Sequence, residues 1–220
     1  MNAATAVAFA AAAVFAVGNW IAVAKTDRTQ TSRVLEYVCK PATLAALIAA
    51  AALLDPAADA RTWRAWFVAA LVLSLAGDVL LMLPQDLFVA GLAAFLVAHV
   101  LYLVGFWTNG PSAFALAIAI VVVVAVVGPL GRRILTAIAA NGEPRELRGA
   151  VAGYMVVISA MLATALATGN VVAAVGAGLF MASDSMIAWD RFVRPFRFAP
   201  VAIMVTYHLG QAGLVAALLR

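Results

Sequence analysis

Eight apolar stretches, each of about twenty residues, run the length of this chain. They lie at about 3–24, 36–54, 63–83, 87–107, 112–130, 148–168, 170–189 and 197–219. A helix needs roughly 20 apolar residues to cross a hydrocarbon core of about 30 Å. Inside lipid every backbone N–H and C=O must be satisfied within the protein, which leaves only helices and closed barrels. The stretches are too long for barrel strands and do not alternate in polarity. The expected fold is therefore all-α: a polytopic membrane helix bundle of eight transmembrane helices, forming a single integral membrane domain over residues 1–220. Composition agrees, with 66% of residues apolar and 11% charged, against about 45–50% and about 25% in soluble domains. A soluble fold, a disordered chain and a nucleic-acid-binding domain are excluded on that ground.

Breaker segments separate the stretches. They are Thr26-Asp27-Arg28, Asp55-Pro56, Pro84-Gln85-Asp86, Asn109-Gly110-Pro111, Asn141-Gly142-Glu143-Pro144, Gly169-Asn170 and Arg194-Pro195. Leu135 to Ala140 either extends the fifth helix or lies along the interface. No Lys or Arg precedes the first stretch, and it is too long for a signal-peptide core, so it reads as a retained span. The single cysteine, Cys39, excludes an intrachain disulfide. No Cys/His cluster has metal-ligand spacing, so neither a metal nor a cofactor is expected.

Loop charge orients the bundle. Loops on one side carry Lys25, Arg28, Arg33, Lys40, Arg132, Arg133, Arg145, Arg148, Arg191, Arg194 and Arg197, eleven of the fourteen Lys and Arg. The other side has Arg61, Arg64 and Arg220. The basic side is expected in the cytoplasm, with both termini outside, in the plasma (bacterial inner) membrane. An internal echo joins Ser74-Leu75-Ala76-Gly77-Asp78 in the third span to Met181-Ala182-Ser183-Asp184 in the seventh. Four spans separate the copies, which suggests a 4+4 parallel repeat.

Ionisable groups inside spans are costly and face the bundle or a watery cavity. Asp78 and Asp184 each lie five residues before the end of a span, on the basic side. His99 and Tyr102 share a face of the fourth span, and Tyr207 and Gln211 share a face of the eighth. Each aspartate span should sit beside its hairpin neighbour, giving one hollow, open to the cytoplasm, lined by two carboxylates, a histidine, a tyrosine and a glutamine. Lys40, before Pro41, is expected near the start of the second span, either snorkelling or holding a lipid phosphate. Asp190 reads as solvated at the interface. Gly149 and Gly153 read as a close-packing face. Singly, His208, Tyr102, Tyr207 and Gln211 are more often interhelical packing than function.

No Gly-x-Ser-x-Gly, Cys/His pair or phosphate-cradling loop is present. What remains is a carboxylate pair with imidazole and phenol in a low-dielectric hollow. One neutral carboxyl beside one carboxylate suits chemistry through an oxocarbenium ion. A proton-coupled transporter of a small amphiphile, or a non-catalytic lipid-binding protein, would use similar residues. The unbroken interiors of the third and seventh spans lean against transport.

The ordered set Lys40-Pro41, Gly77-Asp78 through Met82, Phe88 through Gly91, Phe95, His99 and Tyr102, then Tyr154, Gly178 through Ser183-Asp184-Ser185, Phe192 and Thr206-Tyr207-His208 through Gln211 resembles the lysoplasmalogenase family of eight-span membrane hydrolases. The one departure is His208, where an aromatic or aliphatic residue is expected. The resemblance implies hydrolysis of the vinyl-ether bond of lysoplasmalogens, to a fatty aldehyde and glycerophosphocholine or glycerophosphoethanolamine. It implies catalytic roles for Asp78, Asp184, His99 and Tyr207, and substrate contacts at Lys40, Tyr102, Gln211, Tyr154 and Ser183. The implied partners are a lysophospholipid substrate and membrane lipids, with no nucleic acid.

Overall fold

Asn2 opens the first helix: its side chain accepts from the Thr5 N–H at 2.8 Å, as an N-cap should. The computed structural model describes residues 1–25, 29–54, 61–108 and 110–219. The breakers Thr26-Asp27-Arg28 and Asp55-Pro56, with Asn109 and Arg220, lie outside the described residues. Eight helices appear among those described, each long and apolar enough to cross a membrane, and no strand accompanies them. They are α1 (Ala3–Ala24), α2 (Gln30–Leu53), α3 (Arg61–Met82), α4 (Phe88–Thr108), α5 (Ala113–Ala140), α6 (Arg145–Ala167), α7 (Val171–Ala188) and α8 (Ala199–Ala216). A π-helical turn, Trp189–Val193, continues α7. Caps from Thr29, Ser112 and Asn170 start α2, α5 and α7.

Two bounds differ from those expected. α2 begins at Gln30, because Thr29 caps it ahead of the apolar run. Lys40 is thus ten residues inside the helix, about 15 Å from its start, and not at its mouth. α5 runs on through Pro129 to Ala140 for 28 residues, about 42 Å. That exceeds the hydrocarbon thickness, so its last turns carry Arg132 and Arg133 as helical residues and not as loop residues. Arg133 stacks over the Trp189 ring at 5.0 Å.

The packing repeats between halves. Adjacent helices pair as α1–α2, α3–α4, α5–α6 and α7–α8, and α2–α3 is matched by α6–α7. Across the halves, α8 packs on α2 as α4 packs on α6, while α1 packs on α8 with no α4–α5 packing of similar extent among the described residues. Most of α5 faces outward, with Ala119, Val123, Gly131, Ile134 and Ile138 its buried residues. At the centre, the Phe67 ring stands edge-on to Tyr102 at 4.9 Å and to Phe106 at 5.0 Å.

The close-packing glycines are not those expected. A Cβ on Gly149 or Gly153 would meet nothing within 4 Å, because that face of α6 looks away from the bundle. The tight seam is α7–α8, where a Cβ on Gly210 would lie 2.8 Å from the Phe180 nitrogen and one on Gly176 2.8 Å from the Leu214 nitrogen. Backbone cannot yield as a flexible side chain can. Gly210→Ala is therefore expected to cost about 1–3 kcal/mol, and Gly149→Ala to cost nothing measurable; thermal unfolding in detergent compares them. Equal midpoints would contradict this seam.

Candidate active site

Asp78 lies four residues before the end of α3 and is buried. The Lys40 Nζ reaches its Oδ1 at 3.1 Å, and the Tyr207 hydroxyl donates to its Oδ2 at 2.7 Å. The Gln211 Nε2 donates to the Tyr207 oxygen at 3.5 Å, while its Oε1 accepts from the Tyr102 hydroxyl at 2.6 Å. Lys40 is 6% exposed. Its ammonium answers a carboxylate inside the bundle.

Asp184 sits on α7, one turn before the π-helical segment. The Tyr154 hydroxyl of α6 donates to its Oδ2, and His99 Nε2 of α4 faces the same oxygen at 3.7 Å. His99 Nδ1 lies 2.5 Å from the Phe95 carbonyl oxygen. A carbonyl only accepts, so the tautomer assigned by this geometry carries its proton on Nδ1 and leaves Nε2 bare. Nε2 is buried with no hydrogen-bond partner. Ser183 next door donates to the Ile203 carbonyl at 3.1 Å and ties α7 to α8.

The pairing is thus crossed relative to expectation. Asp78 takes its tyrosine from α8 and Asp184 its histidine from α4, so neither draws on its own hairpin neighbour. Hairpin neighbours do touch, but through their apolar and glycine faces; the polar faces of α4 and α8 turn to the opposite half. Between the two acidic sites stands an aromatic wall. The Phe180 ring is 4.6 Å from His99 and 5.3 Å from Tyr207, and Phe95 is 5.9 Å from Tyr207. Sequence reasoning did not single out Phe180 as part of the site, although it stands one turn before Asp184 and so shares its face.

Among the described residues, two separate cavities flank this site at the basic end, where one was expected. The first holds about 60 Å³ and is apolar, lined by Phe88, Leu92, Ile134, Tyr154, Met181 and Asp184 among others. The second holds about 380 Å³ and is lined by Glu36, Lys40, Asp86, Asp190 and Arg191, among others. Leu81, Phe88 and Ile187 form the partition between them. Asp78 lines neither, being sealed behind Lys40 and Tyr207. Behind Val127 and Met155, which also line the first cavity, a groove of about 470 Å³ runs between α5 and α6.

Asp86, Asp190 and Arg191 have partners of their own. Asp190 is half-buried and accepts from the Phe196 N–H at 3.0 Å, capping the turn after α7 rather than standing in solvent. Arg191 makes a two-pronged bond to Asp86 at 3.2 and 3.1 Å. That hydrogen bond, and then the guanidinium charge, hold the Asp86 carboxyl below its ordinary range. What the bond adds is present at neutral pH and fades as pH falls through that lowered value. His208 Nδ1 accepts from Trp20 Nε1 at 3.0 Å and fastens α8 to α1. Among the described residues, no group of three or more His, Cys, Asp or Glu is placed to hold a metal.

Fold and site together define an eight-span helical membrane protein with one buried and one partly buried carboxyl group, separately partnered, at its basic end. The chain belongs to the YhhN family, whose sequence pattern matches residues 35–218. It is 37% identical over 151 residues to human Lysoplasmalogenase TMEM86B, a match covering 69% of this chain and 62% of that protein. It is 37% identical over 183 residues to Lysoplasmalogenase of Mycobacterium bovis, covering 80% and 67%. The rat Lysoplasmalogenase TMEM86B is 34% identical over 151 residues, covering 69% of this chain and 60% of that protein. The chain thus spans less than two thirds of the mammalian relatives named here. The family resemblance read from the residues is borne out by these relatives. No solved structure matches the chain.

Proposed function

We propose that this protein hydrolyses the vinyl-ether bond of a lysoplasmalogen, with Asp184 as the general acid. One observation carries the reading: Asp184 is the carboxyl group that lines the apolar cavity, held there by Tyr154 and faced by His99. The names of the mycobacterial and mammalian relatives support the substrate class. In the reaction, a proton passes from Asp184 to the β-carbon of the enol ether, using the carbon–carbon π pair. The resulting oxocarbenium ion is captured by water at the carbon bearing the ether oxygen. The proton that water loses restores Asp184. The hemiacetal then collapses: its hydroxyl proton passes to the glycerol oxygen as the carbon–oxygen bond breaks, and fatty aldehyde and glycerophospho-alcohol leave. One water is consumed and no electrons are transferred. Tyr154 fixes the carboxyl by hydrogen bonding to the oxygen that does not give up the proton.

The alkenyl chain occupies the apolar cavity and reaches it from the α5–α6 groove. The first cavity has the volume of about two waters, so Val127 and Met155 must part to admit a chain. The basic end, which holds both cavities, faces the cytoplasm under the positive-inside rule.

Purified protein incubated with choline and ethanolamine lysoplasmalogens, followed by mass spectrometry, is expected to release free aldehyde. Saturated-ether analogues, which have no π pair to protonate, are expected to remain intact. Binding without aldehyde would overturn the hydrolase reading in favour of a lipid-binding protein. Cleavage of the saturated ether would overturn the protonation step. Aldehyde release is expected to survive EDTA at full rate; its loss would place a metal in the reaction.

A further inference from the structure

The two acidic sites are built on one plan. In each half, an aspartate on the third helix is met by a residue from the second helix of its own half and by one from the fourth helix of the other half. For Asp78 these are Lys40 at 3.1 Å and Tyr207 at 2.7 Å. For Asp184 they are Tyr154 and, at 3.7 Å, His99. The Tyr102–Gln211 hydrogen bond of 2.6 Å ties the two fourth helices together between the sites. The difference that matters is the residue from the second helix: an ammonium in one half and a phenol in the other.

Burial makes that difference decisive, because an unbalanced charge in a low-dielectric interior is strongly disfavoured. At Asp78 the balancing cation is fixed to the chain. At Asp184 nothing carries a permanent positive charge: the facing groups are Tyr154 from α6 and His99 from α4, and the His99 nitrogen nearest the carboxyl is bare. An ionised Asp184 would set its lone pairs against those of Nε2. A proton on the other oxygen, Oδ1, removes that charge and with it the repulsion, while Oδ2 still accepts from Tyr154. Asp78 is faced by Lys40 from α2 and Tyr207 from α8, with Gln211, Tyr102 and His208 behind them.

We propose that Lys40 is a positioning residue that divides the pair, holding Asp78 as a carboxylate by its fixed charge so that the one transferable proton of the bundle resides on Asp184. The two sites are then each neutral, one through a lysine and the other through a proton. Only the second can give that proton to a substrate and take it back. This rests on the hydrolase reading for its purpose but not for its test.

The test is infrared spectroscopy of the protein in lipid bilayers at neutral pH, reading the carboxylic C=O stretch of protonated side chains. Wild type is expected to show one buried carboxylic band, lost in Asp184→Asn. Lys40→Met is expected to gain a second band, which Lys40→Met/Asp78→Asn loses again. Lys40→Arg, keeping the charge, is expected to show one band only. If Lys40→Met does not fold, the double variant still decides: it must keep one band, and that band must vanish when Asp184→Asn is added. No buried carboxylic band in wild type, a band surviving Asp184→Asn, or an imidazolium signature from His99 would overturn the proposal. A merely structural lysine would leave the band count unchanged in a folded Lys40→Met. Aldehyde release is scored separately: the expected bands without aldehyde would sink the hydrolase reading alone, and aldehyde with the wrong bands would sink the division of the pair alone.

Discussion

Asp184→Asn is expected to reduce aldehyde release about 10²- to 10⁴-fold, the usual worth of a positioned general acid, while the protein stays folded in the membrane. The substitution is nearly isosteric. The amide oxygen, in the place of Oδ2, still accepts from the Tyr154 hydroxyl, and no charge is added beside the bare His99 Nε2. What is lost is a proton acidic enough to pass to carbon. Nothing else lining the apolar cavity supplies one, since Tyr154 already donates its proton to Asp184. The measurement is initial rate on choline and ethanolamine lysoplasmalogens, with abundance and monodispersity of the variant recorded alongside. Rates near wild type on both substrates would remove Asp184 from the chemistry. Tyr154→Phe is expected to fall between the two, because the carboxyl remains but is no longer held.

Lys40→Met and Asp78→Leu, each alone, are expected to destabilise the protein by about 3–5 kcal/mol, the cost of leaving half of a buried ion pair. With the partner gone, the buried carboxyl must take up a proton, or the ammonium must turn away toward the cavity it lines, and either change is costly. The double variant is expected to recover most of the loss, because two apolar side chains of similar size replace the pair and nothing charged stays behind. Tyr207 loses an acceptor in that variant but keeps the hydrogen bond from Gln211. The checks are thermal unfolding in detergent and the fraction recovered unaggregated. Strictly additive losses would mean the 3.1 Å contact is not an energetic pair. The comparison tests the proposed division, in which the first-half acid acts through charge and structure and the loss of Asp184 is expected to lower the rate without lowering stability.

These two results would look different for two aspartates that are equally legible in the sequence. Asp78 and Asp184 share spacing from a span end, neighbours of similar type and a place in the same repeat. Periodicity could not show that Lys40 belongs with Asp78. The polar residues ahead of the apolar run put the expected start of the second span at 36, whereas Thr29 caps the helix earlier and draws Lys40 ten residues inward. Tyr154 carries no signal of its own, being one aromatic in an apolar helix; only the family resemblance pointed to it. Phe180 and Phe95 read as ordinary core residues, and they are, but their rings stand between the two acids.

What the sequence determined by itself was everything that lipid demands residue by residue. Eight runs of apolar side chains specify eight helices, since an unpaired backbone group in hydrocarbon costs several kcal/mol. Intramembrane charge marks the groups worth watching. Tertiary structure decided which faces meet. A helix 3.6 residues per turn presents several faces, and chain adjacency says only that two helices lie side by side. Glycines 176, 210 and 213 turn α7 and α8 together on one face, which leaves Tyr207 free to cross to Asp78. The packing of α4 on α6 brings His99 toward Asp184 in the same way, so each acid is completed by the opposite half of the molecule.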